Sequence, residues 1–253
     1  MKIAAIYDIH GNLPALEAVL EEIDRATPDV ILVGGDVALG PMPRETVERL
    51  MTLETKARFV RGNTDRVVVD CFDGKPLSPR LPENVRQTTL WTAQQLERQH
   101  RDFLAAFENQ VAFSIEGLGA VLFCHATPRS DEELFTVASP AERLQEIFAD
   151  VRQDVVVCGH THMQFDRQVG SVRVVNAGSV GMPYGEPGAY WALPGPGPQI
   201  VLQRTSYDFE MAANLIRASQ YPQAQDFADN NILHPPSAAE ATALFERMVA
   251  RNQ

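Results

Sequence analysis

Over the first 60 residues, short apolar runs alternate with amphipathic stretches. KIAAIY (2–7), VILVGG (30–35) and ARFVRG (57–62) have the length and largely apolar character of strands buried on both faces. Between the first two, Leu13, Leu16, Leu20 and Ile23 recur at helical spacing. Asn12 is placed to cap that helix, and Pro14 falls in its first turn, where a missing N–H costs nothing. The pattern predicts helix over 13–26 and a βαβαβ opening, hence a parallel sheet with right-handed crossovers.

The stretch 66–110 is less regular and reads as a Pro-containing loop followed by helix over about 87–107. GAVLFC (119–124) and VVVC (155–158) resume the strand pattern. The helix between them opens with Ser139-Pro140-Ala141-Glu142, which combines capping-box spacing with proline at the first helical position. After 163 the pattern changes to hairpins. QFDRQV and VRVVN flank a turn at Gly170-Ser171, and GAYWAL and QIVLQR flank the turn-forming PGPGP (194–198). These strands read as a second sheet packed on the first. Residues 208–253 read as a helical extension with a second capping box, Ser237-Ala238-Ala239-Glu240. No repeat or linker divides the chain, so one domain over 1–253 is expected.

Composition narrows the function. A 45% hydrophobic content suits a globular chain with a real core. No apolar stretch is long enough to span a membrane, and MKIAAIYDIHGN lacks the features of a signal peptide, so the expected location is cytoplasmic. Three cysteines, Cys71, Cys124 and Cys158, form no Cys-x-x-Cys pair, which fits a reducing compartment. Net charge is −11 with no basic cluster, so neither a nucleic-acid backbone nor a membrane is an expected partner. A phosphate site would need positive charge from elsewhere, such as bound metal. Phe209, Ile216, Leu244, Phe245 and Met248 are available to cover the sandwich or to pair two subunits of a homo-oligomer.

The ends of the core strands carry the chemistry: Asp8-Ile9-His10, Gly35-Asp36, Gly62-Asn63-Thr64-Asp65, His125, and Gly159-His160-Thr161-His162. Ligands of open α/β sheets bind at the carboxyl ends of strands, so four of the six histidines converge with Asp8, Asp36 and Asn63 on one edge. Any one Asp or Asn alone reads as a turn or cap. Coincidence at five strand ends does not, and chance supplies only roughly 0.14 His-x-His pairs in this composition. His100, in QLERQHRD, reads as a residue of a solvated helix face, and His234, before Pro235-Pro236, as a loop residue. Four imidazoles, two carboxylates and one amide oxygen exceed a tetrahedral zinc site. They suit two divalent ions about 3.5–4 Å apart, manganese first, with iron, zinc or nickel as alternatives.

In their order along the chain, D-x-H, G-D, G-N, a later H and G-H-x-H resemble the calcineurin-like metallophosphoesterase superfamily. DIHGNLPALEAVL and NAGSVGMP (176–183) resemble its small bacterial and archaeal phosphodiesterase branch, and the likeness spans about residues 1–205. The resemblance implies an α/β fold, a four-layer αββα sandwich of two mixed sheets flanked by helices. It implies Asp8, His10 and His162 on one metal, Asn63, His125 and His160 on the other, and Asp36 bridging. It also implies a metal-bridging hydroxide attacking the phosphorus of a small phosphate ester in line, with Asp36, Asn63 and His125 as catalytic residues.

Two divalent ions outweigh Asp8, Asp36 and such a hydroxide by one unit of charge, which draws in a phosphate ester. Arg66 and Arg129, each within four residues of a ligand, are candidates to clamp phosphate oxygens, or else surface charges. Much of the larger superfamily follows the ligand Asn with a His that protonates the leaving group. Here Thr64 stands there, and a hydroxyl is no general acid near neutral pH. A phosphomonoesterase or serine/threonine protein phosphatase is the alternative within hydrolysis. A binding scaffold, such as the retromer subunit of this fold, is the alternative outside it, but the retention of all seven ligands argues against a degraded site.

Overall fold

Along the first strand, β1 (Ile3–Ile6), successive side chains enter different layers. Ile3 and Ala5, with Tyr7 just beyond, face one apolar layer, and Ala4 and Ile6 face another. Both faces are therefore buried, which is why the run carries no polar residue. The structure, a computed structural model, describes residues 1–53 and 55–251.

Helix α1 (Leu13–Ala26) is capped by the Asn12 side chain, which accepts from the Ala15 N–H at 3.2 Å. It buries Leu16, Val19, Leu20 and Ile23 against the Ala4 and Ile6 side of the sheet. It leads to β2 (Val30–Val33), and α2 (Pro43–Met51) leads to β3 (Ala57–Phe59). β1, β2 and β3 pair in parallel, with Ile3 opposite Val30 and Ile31 opposite Ala57. Helices α3 (Asn63–Phe72), α4 (Glu83–Gln95) and α5 (Arg98–Ala105) follow. The single helix expected over about 87–107 is two, because the chain turns extended at Leu96 and Glu97. His100 is fully buried, a correction to the solvated face expected for it. Its Nδ1 accepts from the Glu97 N–H at 3.0 Å, and Nε2 lies 3.4 Å from Glu48. Its polar neighbours in sequence concealed that His100 and Leu104, four residues apart, share the inward face.

The second sheet begins with the antiparallel pair β4 (Gln110–Ile115) and β5 (Gly119–Cys124) and continues through α6 (Ala141–Ile147) to β6 (Val155–Cys158). β7 (Phe165–Val169) and β8 (Val172–Asn176) form the first late hairpin. β9 (Ala189–Pro194) and β10 (Ile200–Thr205) form the second. The orders are β10-β9-β1-β2-β3 and β4-β5-β6-β8-β7. The late hairpins thus do not make a sheet of their own: one completes each sheet, because β9 pairs with β1 and β8 with β6. Val121, Phe123, Val155 and Val157 meet Ile3, Ala5 and Tyr7 between the sheets, while Leu122, Cys124, Val156 and Cys158 face α6. The result is two mixed five-stranded sheets packed face to face and flanked by helices.

Ser139 does not cap α6. Pro140 takes the capping position, and the Ser139 hydroxyl accepts from the Thr136 N–H and donates to Glu246. The C-terminal part comprises α7 (Phe209–Ala218), α8 (Ala224–Phe227), a π-helical segment (Ala228–Leu233) and α9 (Ala238–Arg251). The reciprocal bonds of Ser237 and Glu240 start α9. Ala213, Ile216, Phe227 and Ile232 form a separate apolar cluster against Trp91 of α4. His234 is exposed beyond the π-helical segment. No helix among the described residues is long and apolar enough to cross a membrane.

Candidate metal centre

The carboxyl ends of β1, β2, β5 and β6 and the start of α3 meet at one place. There the backbone does what L-residues avoid. Asp8, His10, Asp36, His160 and His162 all have positive φ, between 48° and 67°, and they are five of the seven non-glycine residues in that state among the described residues. Each such conformation costs about 1–2 kcal/mol, and concentration of strain marks a functional site. Main-chain bonds hold it in place: Asp8 N–H to Gly35 O (3.0 Å), His10 N–H to Asp36 O (2.9 Å) and Gly11 N–H to Val37 O (2.9 Å). Glycine is required where loops close on the carboxylates. A Cβ on Gly62 would lie 2.1 Å from Asp36 Oδ1, and one on Gly159 would lie 2.4 Å from Asp8 Oδ2.

Two clusters result, Asp8-His10-His162 and Asp36-His125-His160, each with one potential ligand atom per residue within 4.8 Å of the others. Asp36 Oδ2 lies between them, 3.8 Å from His10 Nε2 and 3.5 Å from His125 Nε2. Asn63, the first residue of α3, presents Oδ1 at 3.1 Å from His125 Nε2.

The ring nitrogens pose an electrostatic problem that a cation solves. Nδ1 of His10, His125 and His162 faces the carbonyls of Leu39 (3.2 Å), Gly34 (2.9 Å) and Met182 (2.7 Å), which only accept, so Nδ1 carries the proton. The Nε2 lone pairs then point inward. Those of His10 and His162 face each other at 3.3 Å, and that of His125 faces the Asn63 oxygen. Asp8 Oδ1 and His160 Nε2 are buried with no hydrogen-bond partner. Neutral rings leave this centre made of acceptors facing acceptors, which the low dielectric of an interior makes costly. The donor set fits divalent cations.

Without cations, protons take up part of the strain. Burial disfavours a charged His125, but Asp36 and Asp8 outweigh it and push the ring up to about 10. Burial, with His125 nearby, drives His160 down to about 4. Burial raises Asp36, yet His125, His10 and His160 hold it well below the carboxylate range. Since His125 lies above its unfolded value of about 6.5, its charge stabilises the metal-free fold fully below that pH, and the contribution is lost as pH rises through about 10. A metal ion held by His125 would require the neutral ring. Loading at about pH 7.5 is therefore expected to release at least one proton per chain, with affinity rising about tenfold per pH unit. Calorimetric titration with manganese in buffers of different ionisation enthalpy measures this, and a buffer-independent heat would contradict it.

Residues to which the sequence assigned no such role hold the candidate ligands in place; Asp65, the candidate acid in place of Thr64, is one of them. Asp65, fully buried, accepts from the N–H groups of Asp36 (2.8 Å), Val37 (2.9 Å) and Gly62 (2.9 Å). Burial and the Asp36 charge push its carboxyl up to about 7 against the pull of those donors. Asn176 donates to Gly159 O (2.6 Å) and Thr161 Oγ1 (3.1 Å), which fixes the histidine loop. Ser179 donates to Asp8 O at 2.7 Å. The stretch NAGSVGMP was the signal for Asn176 and Ser179. For Asp65 it was the third position of a helix, where a carboxylate accepts from its N-terminal N–H groups.

The two arginines expected to clamp phosphate line a cleft of about 380 Å³ beside His125. Both are committed to carboxylates. Arg66 is bidentate to Asp131 (2.8 and 3.0 Å) and reaches Glu132 (3.2 Å), while Arg129 binds Glu133 (2.9 and 2.7 Å) and lies 3.4 Å from Glu146.

A two-sheet sandwich that gathers imidazoles and carboxylates at strand ends offers the donor set that metal-dependent hydrolases use. Residues 1–193 match the calcineurin-like phosphoesterase superfamily domain, and the chain belongs to that superfamily of phosphoric ester hydrolases. It is 30% identical over 203 residues to phosphodiesterase YfcE of Escherichia coli strain K12, covering 76% of this chain and 87% of that protein. A metallophosphoesterase from Sphaerobacter thermophilus superposes with a TM-score of 0.69 at 26% identity, covering 92% of this chain and 99% of its own. A hypothetical protein from Pyrococcus horikoshii OT3 shares the fold with a TM-score of 0.79 at 20% identity, covering 93% and 99%.

Proposed function

We propose that the chain is a phosphodiesterase with a dinuclear metal centre, manganese being the first candidate, which hydrolyses a small phosphate ester by in-line attack of water on phosphorus. The observation that carries this reading is the pair of ligand clusters with the Asp36 carboxylate between them. Asp8, His10 and His162 would hold one ion, Asn63, His125 and His160 the other, and Asp36 both. The 30% identity to a phosphodiesterase supports the choice of ester. Two divalent cations held there supply Lewis acidity toward phosphoryl oxygens and a water acidified to near neutral pH.

The chain's own residues do the positioning. Main-chain carbonyls keep the proton on Nδ1 of three imidazoles, so Nε2 stays a lone-pair donor. The Thr64 N–H donates to Asp36 Oδ1 at 2.9 Å, which leaves Oδ2 for the centre. Burial of Asp8, Asp36 and His125 keeps bulk water from competing for these groups. No side chain on this helix start donates a proton to the leaving group, because Thr64 Oγ1 is buried without a partner and Asp65 is turned to the backbone.

Charge then accumulates on the departing oxygen, and each tenfold loss in rate reflects about 1.4 kcal/mol of unmet stabilisation. The test is kcat/KM across diesters of graded leaving-group pKa, with manganese-loaded parent and Thr64→His. A steep parent slope that flattens in the variant is expected. A parent slope near zero with chemistry rate-limiting means that another acid acts, and no turnover of any diester overturns the reading.

A further inference from the structure

The cleft beside the candidate metal centre is lined by His125 and by no other candidate ligand. A phosphoryl group seated at the centre therefore leaves another portion of its ester in this cleft, whose volume of about 380 Å³ suits a small molecule. Its walls are polar, with Asn109, Gln110, Thr127, Ser130 and the Asp131 carboxylate beside three guanidinium groups. Arg66 and Arg129 are neutralised by their carboxylates. Arg61 is not. Among the described residues no carboxylate stands within 4.0 Å of its guanidinium, and its Nε is buried with no hydrogen-bond acceptor. Asp131 feels its charge but is held by Arg66.

Arg61 is fixed by its backbone rather than by its side chain: its N–H donates to Glu108 O at 2.7 Å, and Val60 bridges to Glu108. The guanidinium is thus free of any fold-anchoring bond. An unpaired positive fork inside a polar cleft of a chain with net charge −11 calls for an anion. Two phosphate-clamping arginines were expected from the sequence, but the one left unpaired is a third, hidden in the strand-like run ARFVRG.

We propose that Arg61 binds a second anionic group, a carboxylate or phosphate, on the alcohol portion of the substrate, so that the preferred ester is polar and doubly charged rather than aryl or lipid. This rests on the phosphodiesterase reading above. The test compares butyl phosphate with the phosphate monoester of 4-hydroxybutanoate, two ligands of matched length that differ by one carboxylate, by calorimetric binding to manganese-loaded protein. The carboxylate-bearing ligand is expected to bind about tenfold more tightly, the scale of one charge-assisted bond. Arg61→Gln should bring that ratio to about one and leave butyl phosphate affinity unchanged, while Arg129→Gln should keep the ratio.

Equal affinities in the parent, a comparison that needs no variant, overturn the proposal, as does a preference that survives Arg61→Gln. Hydrolysis of a panel of diesters by the same preparation, bis(p-nitrophenyl) phosphate and a carboxylate-bearing alkyl diester among them, separates the two readings. Turnover of any of them with equal affinities sinks the role of Arg61 alone, and no turnover of any diester with an Arg61-dependent preference sinks the phosphodiesterase alone.

Discussion

Asp36→Asn is expected to lower hydrolysis by about 1,000-fold, equal to about 4 kcal/mol of barrier, and to weaken both metals rather than one. The substitution is chosen for what it preserves. Asparagine tolerates the left-handed φ of 55° at this position, where alanine adds strain, and its amide oxygen can still accept from the Thr64 N–H. What it removes is the negative charge that lies between His10 and His125. His125 then also loses the carboxylate that most favours its charge, so loading should release fewer protons than in the parent. The metal-free variant should melt below the metal-free parent at neutral pH, because removing one partner of a buried pair takes away the carboxylate that compensates the His125 charge. Activity within tenfold of the parent, with both metals retained, would contradict a shared ligand.

The second large effect falls on stability. Asp65→Ala leaves three buried backbone N–H groups without an acceptor, each worth about 1–3 kcal/mol. A loss of about 3 kcal/mol or more is expected, which in a chain of this size lowers Tm by about 6–12 °C. Asp65→Asn should lie between parent and alanine, since its amide offers one oxygen to three donors. Because two of those donors belong to Asp36 and Gly62, the folded fraction should also bind metal more weakly. Thermal melts with and without manganese check both parts, and a Tm shift below about 2 °C in Asp65→Ala would mean that these bonds contribute little.

How much of this was legible in the sequence depended on whether a residue's partner is local. The apolar runs that became β1, β2, β5 and β6 announced themselves, and each ends at a candidate ligand, so Asp8, Asp36, Asn63, His125, His160 and His162 could be placed on one edge before any pairing was known. The cap of Asn12 and the box at Ser237 and Glu240 are contacts within a few residues and were equally readable. Long-range choices were not. β9 pairs with β1 across more than 180 residues, and nothing in its own pattern distinguishes that edge from the edge of β6. His100 has polar sequence neighbours, yet faces inward because α2 and α5 pack together. Whether an arginine is free or paired is a property of carboxylates up to 66 residues away, as with Arg66, Asp131 and Glu132. Local spacing therefore pointed to Arg66 and Arg129 and passed over Arg61.

The central claim is that facing lone pairs and one shared carboxylate, Asp36, at the strand ends hold two cations. Elemental analysis of protein saturated with manganese and freed of excess metal tests it most directly. Two ions per chain are predicted, falling to one in His160→Ala and in His162→Ala and to fewer than one in Asp36→Asn. One ion or none per chain in the parent would contradict the account.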